Sequence, residues 1–157
     1  MSILYTDPAP EALREYPVII RLPIQWGDQD LFGHVNNTVY FRWYESARIA
    51  YLERLDMADK ASRQRIGPIL AAIGCNYRRQ LRYPDAVLVG SRVSRIGRTS
   101  MVMEHAVWST AQSATAADGQ STIVAFDYET NQTQPVPQQM REMIASLEGN
   151  DEFRMTS

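Results

Sequence analysis

Ten residues in the first quarter of the chain, DQDLFGHVNN from Asp28 to Asn37, concentrate groups that can do chemistry. Two carboxylates, one imidazole and the carboxamides of two asparagines and one glutamine stand directly before the aromatic run TVYFRWYESARIAYLERL. A helix beginning here would present backbone N–H groups that lack intrahelical partners, at the positive end of the helix dipole. A carboxylate beside such an end could act as base or nucleophile while the N–H groups hold an oxyanion. The alternative is a polar loop in which Asn36 or Asn37 is an ordinary helix cap.

The run after this loop predicts a long helix from about Thr38 to Leu55. On a helical wheel its polar residues gather on one narrow face, formed by Arg42, Glu45, Ser46 and Glu53. Most of the remaining surface is aromatic or aliphatic. An apolar arc of that width requires a helix that other structure encloses.

Strand-like runs stand on both sides of this helix in the sequence. PVIIRLPIQWGD precedes the loop, and four further runs follow, which are PILAAIGCNYRRQLRY, DAVLVGSRVSRIG, RTSMVMEHAVWSTAQ and QSTIVAFDYET. Short turns between these four predict an antiparallel meander, with a bulge in the second run near Gly90 or Ser91. The intervening segment MADKASRQRIG is weakly helical or irregular.

The predicted domain is single and spans residues 1–157, with an irregular leader over 1–16 and a terminal helix over 137–149. One long helix against one antiparallel sheet of about five strands is an α+β class.

Composition excludes several functional classes. A net charge of −2 and a pI near 5.7 argue against nucleic-acid binding, and no apolar stretch approaches the roughly 18 residues of a membrane span. A single cysteine, Cys75, allows no intrachain disulfide and suits a reducing compartment, so we expect a cytoplasmic protein without a signal peptide. Two histidines and one cysteine without ligand spacing predict no metal or other cofactor, and His105 is interpreted as a packing residue.

The pattern Asp28-x-Asp30-x-x-Gly33, followed by an aromatic helix, resembles the hotdog-fold acyl-CoA thioesterases of the 4-hydroxybenzoyl-CoA thioesterase type. In that family an antiparallel sheet wraps a central helix. The segment YRRQLRYPDAVLV is a second match, and the resemblance covers roughly residues 18–147. The segment HVNN departs from the aryl-CoA enzymes and is similar to acyl-carrier-protein thioesterases. The resemblance implies hydrolysis of an acyl-CoA to a free acid and CoA.

The same resemblance implies roles for individual residues. Asp30 is the catalytic carboxylate, as a nucleophile or as a general base, and the backbone amide of Asn37 is the oxyanion donor. Four residues are expected to contact substrate, namely Gly33, His34, Tyr40 and Glu45, of which Glu45 is also the reserve catalytic acid. Three residues at a hairpin are expected to bind the phosphates of CoA, namely Arg95, Arg98 and Ser100.

The resemblance further implies a homodimer with each active site at the interface, or a homotetramer of two such dimers. Two other functions stay open at this point. One is a thioesterase acting on acyl-carrier-protein substrates, and the other is a non-catalytic acyl-CoA-binding hotdog protein.

Overall fold

The computed structural model describes residues 3–56 and 65–155, so residues 57–64 of the segment MADKASRQRIG lie outside the described part. Within these described residues there are two α-helices and six strands, in the order β1 (Val18–Pro23), α1 (Asn37–Arg54), β2 (Ile66–Tyr77), β3 (Ala86–Ile96), β4 (Ser100–Ser109), β5 (Ala114–Asp127), β6 (Gln132–Thr133) and α2 (Gln138–Glu148). Short 3-10 helices lie at Glu11–Leu13, Trp26–Asp28 and Asp151–Arg154. In the described residues, neither α-helix combines the length and apolarity needed to cross a bilayer.

The strands form one antiparallel sheet in the order β1-β3-β4-β5-β2, with β6 paired to the end of β5. The predicted four-strand meander is therefore wrong in one place, because β2 pairs with β5 and not with β3. The connection over residues 78–85 is too long for a tight hairpin and crosses the end of the β4–β5 hairpin. There Arg78 N donates to Ala116 O at 2.8 Å, and the Gln112 side chain donates to Gln80 O at 2.8 Å.

Strand β1 is shorter than predicted. It ends at Pro23, and the chain then turns into the 3-10 helix at Trp26–Asp28. Trp26 lies within the run predicted as a strand, but it belongs to this 3-10 helix and is 74% exposed. Proline has no N–H to donate, so it suits the end of an edge strand.

The predicted bulge near Gly90 or Ser91 is also misplaced. The register of β3 against β4 shifts between Val93 and Arg95 instead. Gly90 has a packing role, because a Cβ at this position would lie 2.7 Å from the ring of Tyr16 on the outer face of the sheet.

The main core lies between α1 and the inner face of the curled sheet. Tyr44, Ala47 and Tyr51 of α1 are fully buried there, whereas Ile49 is 47% exposed, so enclosure of the helix is incomplete within one chain. The terminal helix α2 adds Met140 and Ile144 to the same core. The predicted α+β class, an antiparallel sheet curled around one long helix, is confirmed.

Candidate active site

The cap of α1 fixes where the helix presents its unbonded N–H groups. Asn36 is the N-cap, and its Oδ1 accepts hydrogen bonds from the Thr38 N–H and from the Thr38 hydroxyl, both at 2.9 Å. Asn37 is the first helical residue, and no residue in the described part of the chain accepts a hydrogen bond from its N–H. That N–H stands at the positive end of the helix dipole.

A tight turn presents Asp30 next to this helix end. Asp30 N donates to His34 O at 2.9 Å, and Gly33 N donates to Asp30 O at 3.0 Å. Gly33 adopts φ +76°, which glycine reaches without the steric penalty of a side chain. The Asp30 Oδ1 accepts from the Phe32 N–H at 2.8 Å, while no described residue donates to Oδ2. One carboxylate oxygen is thus positioned and the other is available to a reactant.

Asp28 has a different environment from Asp30. Its side chain is buried, with Oδ2 accepting from the Gln25 N–H at 2.8 Å and Oδ1 lying 3.4 Å from Arg42 Nη2. Its carbonyl oxygen accepts from the Asn36 N–H at 2.9 Å. Asp28 therefore shapes the loop and fastens it to the helix cap.

Asp30, His34 and Asn37 line one cleft of about 350 Å³, together with Tyr40 and Tyr77. The two tyrosine rings meet edge to face at 5.0 Å, and the Tyr77 hydroxyl donates to Asn37 O at 3.4 Å. Burial raises the pKa of both tyrosines, so each hydroxyl keeps its proton near neutral pH. Sequence reasoning missed Tyr77, although its position in β2 just before two arginines was a usable signal.

His34 is held at the cleft by an arginine. Arg82 Nη2 lies 3.0 Å from His34 Nε2, and because a guanidinium can only donate, this ring nitrogen accepts. The lone pair of Nε2 is thereby occupied, which disfavours His34 as a general base at that atom. Arg78 and Arg79 line the same cleft. Arg78 is ion-paired with Asp118, its Nε lying 3.0 Å from Oδ2, whereas no described carboxylate forms an ion pair with Arg79.

Four of the predicted site residues lie away from the cleft. Glu45 is exposed eight positions along α1 from Asn37, about 12 Å at the helical rise. Arg95, Arg98 and Ser100 lie around the β3–β4 turn, at the opposite end of β3 from the cleft. An eleven-residue strand is about 35 Å long. Within one chain the structure does not bring the predicted CoA-binding residues to Asp30.

His105 belongs to a buried polar network between α1 and the sheet. Its Nδ1 is 2.6 Å from Ser91 Oγ, its Nε2 is 2.8 Å from Ser121 Oγ, and its ring stacks on Tyr44 at 4.7 Å. Arg48 Nη1 donates to the same Ser121 hydroxyl at 3.0 Å. Burial, with the nearby Arg48 guanidinium, lowers the pKa of His105 to about 3. The imidazole is therefore neutral near pH 7 and packs inside the protein, which agrees with the interpretation of His105 as a packing residue.

Cys75 borders this network, with its Sγ 3.2 Å from the Tyr44 hydroxyl. Burial raises the pKa of the Cys75 thiol, which leaves it protonated and weakly nucleophilic. Among the described residues no group of three or more His, Cys, Asp or Glu side chains could hold a metal ion.

Comparison with known proteins decides the family. The model of the thioesterase-like superfamily matches residues 24–144, which include the Asp30 loop, α1 and the whole sheet after β1. The chain belongs to the thioesterase-like superfamily. The predicted hotdog fold and the predicted enzyme class, thioester hydrolase, are confirmed.

Individual relatives of this thioesterase agree with the family. The long-chain acyl-CoA thioesterase FadM of Escherichia coli is 25% identical over 75% of this chain and 89% of its own. A thioesterase from Thermus thermophilus, complexed with coenzyme A and Zn, is 33% identical with a TM-score of 0.76, over 87% of this chain and 98% of that one. The uncharacterized protein YsmA of Bacillus subtilis is 25% identical over 54% of this chain, which spans 56% of YsmA's length.

Proposed function

We propose that this thioesterase hydrolyses acyl-CoA thioesters to a free acid and CoA, with Asp30 as the reacting carboxylate and the Asn37 N–H as the oxyanion donor. The observation that carries the proposal is that Asp30 and the N-terminus of α1 line one cleft. CoA as the carrier is supported by FadM, a long-chain acyl-CoA thioesterase, and by the T. thermophilus thioesterase complexed with coenzyme A.

Both chemical routes fit the turn that holds Asp30. As a nucleophile, Oδ2 attacks the carbonyl carbon, the C–S bond breaks to release the CoA thiolate, and water then hydrolyses the resulting anhydride. As a general base, Asp30 takes a proton from water, whose oxygen attacks the same carbon, and the proton afterwards passes to the departing thiolate. In either route the carbonyl oxygen becomes negative, and one well-placed oxyanion donor contributes about 3 kcal/mol.

Substrate contacts in this proposal come from the walls of the cleft. His34 and Tyr40 keep their predicted roles because they line it, and Gly33 lets the loop turn beside it. Arg79 and Arg82 supply positive charge beside the cleft for phosphate groups of CoA. Glu45 and the predicted set Arg95, Arg98 and Ser100 do not line this cleft, and in this proposal they contact substrate from a second chain.

We propose a homodimer formed through β2. This strand lies at one end of the sheet and, among the described strands, pairs only with β5. Its exposed surface includes Ile69 and Leu70, which are 37% and 43% exposed. A long apolar edge strand without a neighbour favours pairing with another chain. The tetramer remains a prediction from the resemblance, and so does a cytoplasmic location, which the single free Cys75 suits.

The test is thiol release from a panel of aryl-, short-chain and long-chain acyl-CoAs by the wild type and Asp30→Asn. We expect turnover by the wild type and a loss of at least about 100-fold in the variant, with unchanged circular dichroism. Binding of acyl-CoA without thiol release by the wild type would favour a non-catalytic protein. If the wild type released thiol only from acyl-carrier-protein substrates, the carrier would be that protein and not CoA.

A further inference from the structure

Helix α1 buries three tyrosines, Tyr40, Tyr44 and Tyr51, none of which is more than 3% exposed. Their hydroxyl groups differ in their partners. The Tyr51 hydroxyl donates to Glu148 Oε1 at 2.6 Å, and the Tyr44 hydroxyl lies 3.2 Å from Cys75 Sγ. No described residue forms a hydrogen bond with the Tyr40 hydroxyl. Because a buried polar group without a partner is destabilising and uncommon in native proteins, this hydroxyl calls for a functional explanation.

The Tyr40 side chain lines the Asp30 cleft, together with Asn37. Two aromatic neighbours fix its ring, whose centre lies 5.1 Å from that of Trp43 and 5.0 Å from that of Tyr77. Burial also raises the pKa of Tyr40, so its hydroxyl stays protonated near neutral pH. The wall of the cleft therefore holds a positioned O–H donor that no described residue uses.

Helical geometry places this hydroxyl near the unbonded N–H of Asn37. Asn37 and Tyr40 are three positions apart, so they are neighbours on one face of α1, with about 5–6 Å between their Cβ atoms. The Cα–Cβ bonds of a helix tilt towards its N-terminus, so the Tyr40 side chain lies over the first turn of α1. The two free donors, one N–H and one O–H, are thus both at the N-terminal end of the helix.

Two donors at this position suit the chemistry of acyl transfer. When the thioester carbonyl is attacked, its oxygen becomes negative, and the oxyanion sites of acyl-transfer enzymes use backbone N–H groups and side-chain donors that include tyrosine. A phenol that keeps its proton donates a hydrogen bond without any net proton transfer. The protons in the nucleophilic and general-base routes of Asp30 therefore keep the course described above, and the phenol is neutral at the start and at the end.

We propose that the Tyr40 hydroxyl is a second oxyanion donor, which binds the thioester carbonyl oxygen together with the Asn37 N–H while Asp30, or the water that it activates, attacks the carbonyl carbon. This inference rests on the proposed thioesterase function and adds a catalytic side chain to it. The hydrogen bond strengthens as the oxygen becomes negative, so it stabilises the transition state more than the bound substrate. Loss of the hydroxyl is therefore expected to lower kcat and to leave KM nearly unchanged.

Two matched variants, Tyr40→Phe and Tyr51→Phe, test this role, since each removes one buried hydroxyl from α1 and keeps the ring. Tyr40→Phe should lower kcat at least about 100-fold on the best acyl-CoA, with a KM within a few-fold of the wild type. Its urea midpoint should equal or exceed the wild-type value, because no described hydrogen bond is lost. Tyr51→Phe should show the reverse, with a lower urea midpoint, because Glu148 loses a donor, and a kcat within a few-fold of the wild type.

Binding of a substrate analogue without a carbonyl group tests which atom the hydroxyl contacts. The probe is an S-alkyl-CoA thioether whose alkyl chain has the length of the best acyl group. Isothermal titration calorimetry should give the same Kd for the wild type and Tyr40→Phe, because the thioether has no carbonyl oxygen for the hydroxyl to bind. A weaker Kd in Tyr40→Phe would place the hydroxyl against the sulfur or the alkyl chain and would overturn the inference.

The outcomes separate this inference from the proposed function. If Asp30→Asn abolishes turnover while Tyr40→Phe keeps the wild-type kcat, or changes only KM, the inference fails and the proposed function stands. A fall in kcat together with a lower urea midpoint would assign Tyr40 a packing role and would also overturn the inference. Absence of thiol release by the wild type from every acyl-CoA overturns the proposed function itself.

Discussion

Acid should destabilise this fold through His105, of which only 1% is exposed. Burial and Arg48 lower the pKa of the folded imidazole to about 3, whereas an unperturbed histidine titrates near 6.5. Between these values the unfolded chain binds a proton that the folded chain does not, so this contribution to stability is intact above about pH 6.5 and is lost as pH falls towards 3. From pH 7 to pH 5 the loss is about 2 kcal/mol, since each pH unit inside the interval is worth about 1.4 kcal/mol.

Urea unfolding at pH 7 and pH 5, at one protein concentration, measures this loss. His105→Gln should be less stable than the wild type at pH 7, because Ser91 and Ser121 lose their imidazole partner, but its loss between pH 7 and pH 5 should be smaller by about 2 kcal/mol. Val107→Ala is a control on the same strand, since it removes about 2 kcal/mol of buried hydrocarbon and keeps the histidine. Equal pH dependence in the wild type and His105→Gln would refute the reasoning.

Three further predictions concern the helix cap, the sheet and the cleft. Asn36→Ala removes the acceptor for the Thr38 N–H and should lower the free energy of unfolding by about 1 kcal/mol, whereas an unchanged urea midpoint would mean that the cap is unimportant. Gly119→Ala would place its Cβ 2.1 Å from Gly74 O and should cost about 3 kcal/mol, while Gly74→Ala meets nothing within 4 Å and is the control in the same thermal melts. Arg82→Ala releases His34 and should raise KM for acyl-CoA more than it lowers kcat, and an unchanged KM in steady-state kinetics would contradict this role.

The sequence was sufficient for the loop and helix because their determinants are local. Asn36 caps through a residue two positions away, and the turn at Asp30 closes within five residues. The wide apolar arc of the helix correctly indicated a covering sheet. In a cap or a tight turn the interacting residues are close in sequence. Their contacts can therefore be predicted without knowing how the rest of the chain folds.

Strand order and the distribution of the site could not be obtained in the same way. The alternation of apolar and polar residues predicts that β2 is a strand, but it does not predict the strand with which β2 pairs. The pairing with β5 depends on how the connection over residues 78–85 crosses the sheet. The arginines at the β3–β4 turn were grouped with Asp30 by family resemblance, and only the length of β3 shows that they lie at opposite ends of one chain. Tyr77 enters the cleft for the same non-local reason.

The most direct test of the central claim is the turnover number of Asp30→Asn beside that of Asp28→Asn on the best acyl-CoA substrate. The two aspartates are two residues apart, but only Asp30 lines the cleft, whereas Asp28 is buried in hydrogen bonds to the loop. We predict that Asp30→Asn loses at least about 100-fold in kcat, while the kcat of folded Asp28→Asn stays within a few-fold of the wild type. Wild-type turnover by Asp30→Asn, with or without a loss in Asp28→Asn, would contradict the assignment of the catalytic carboxylate.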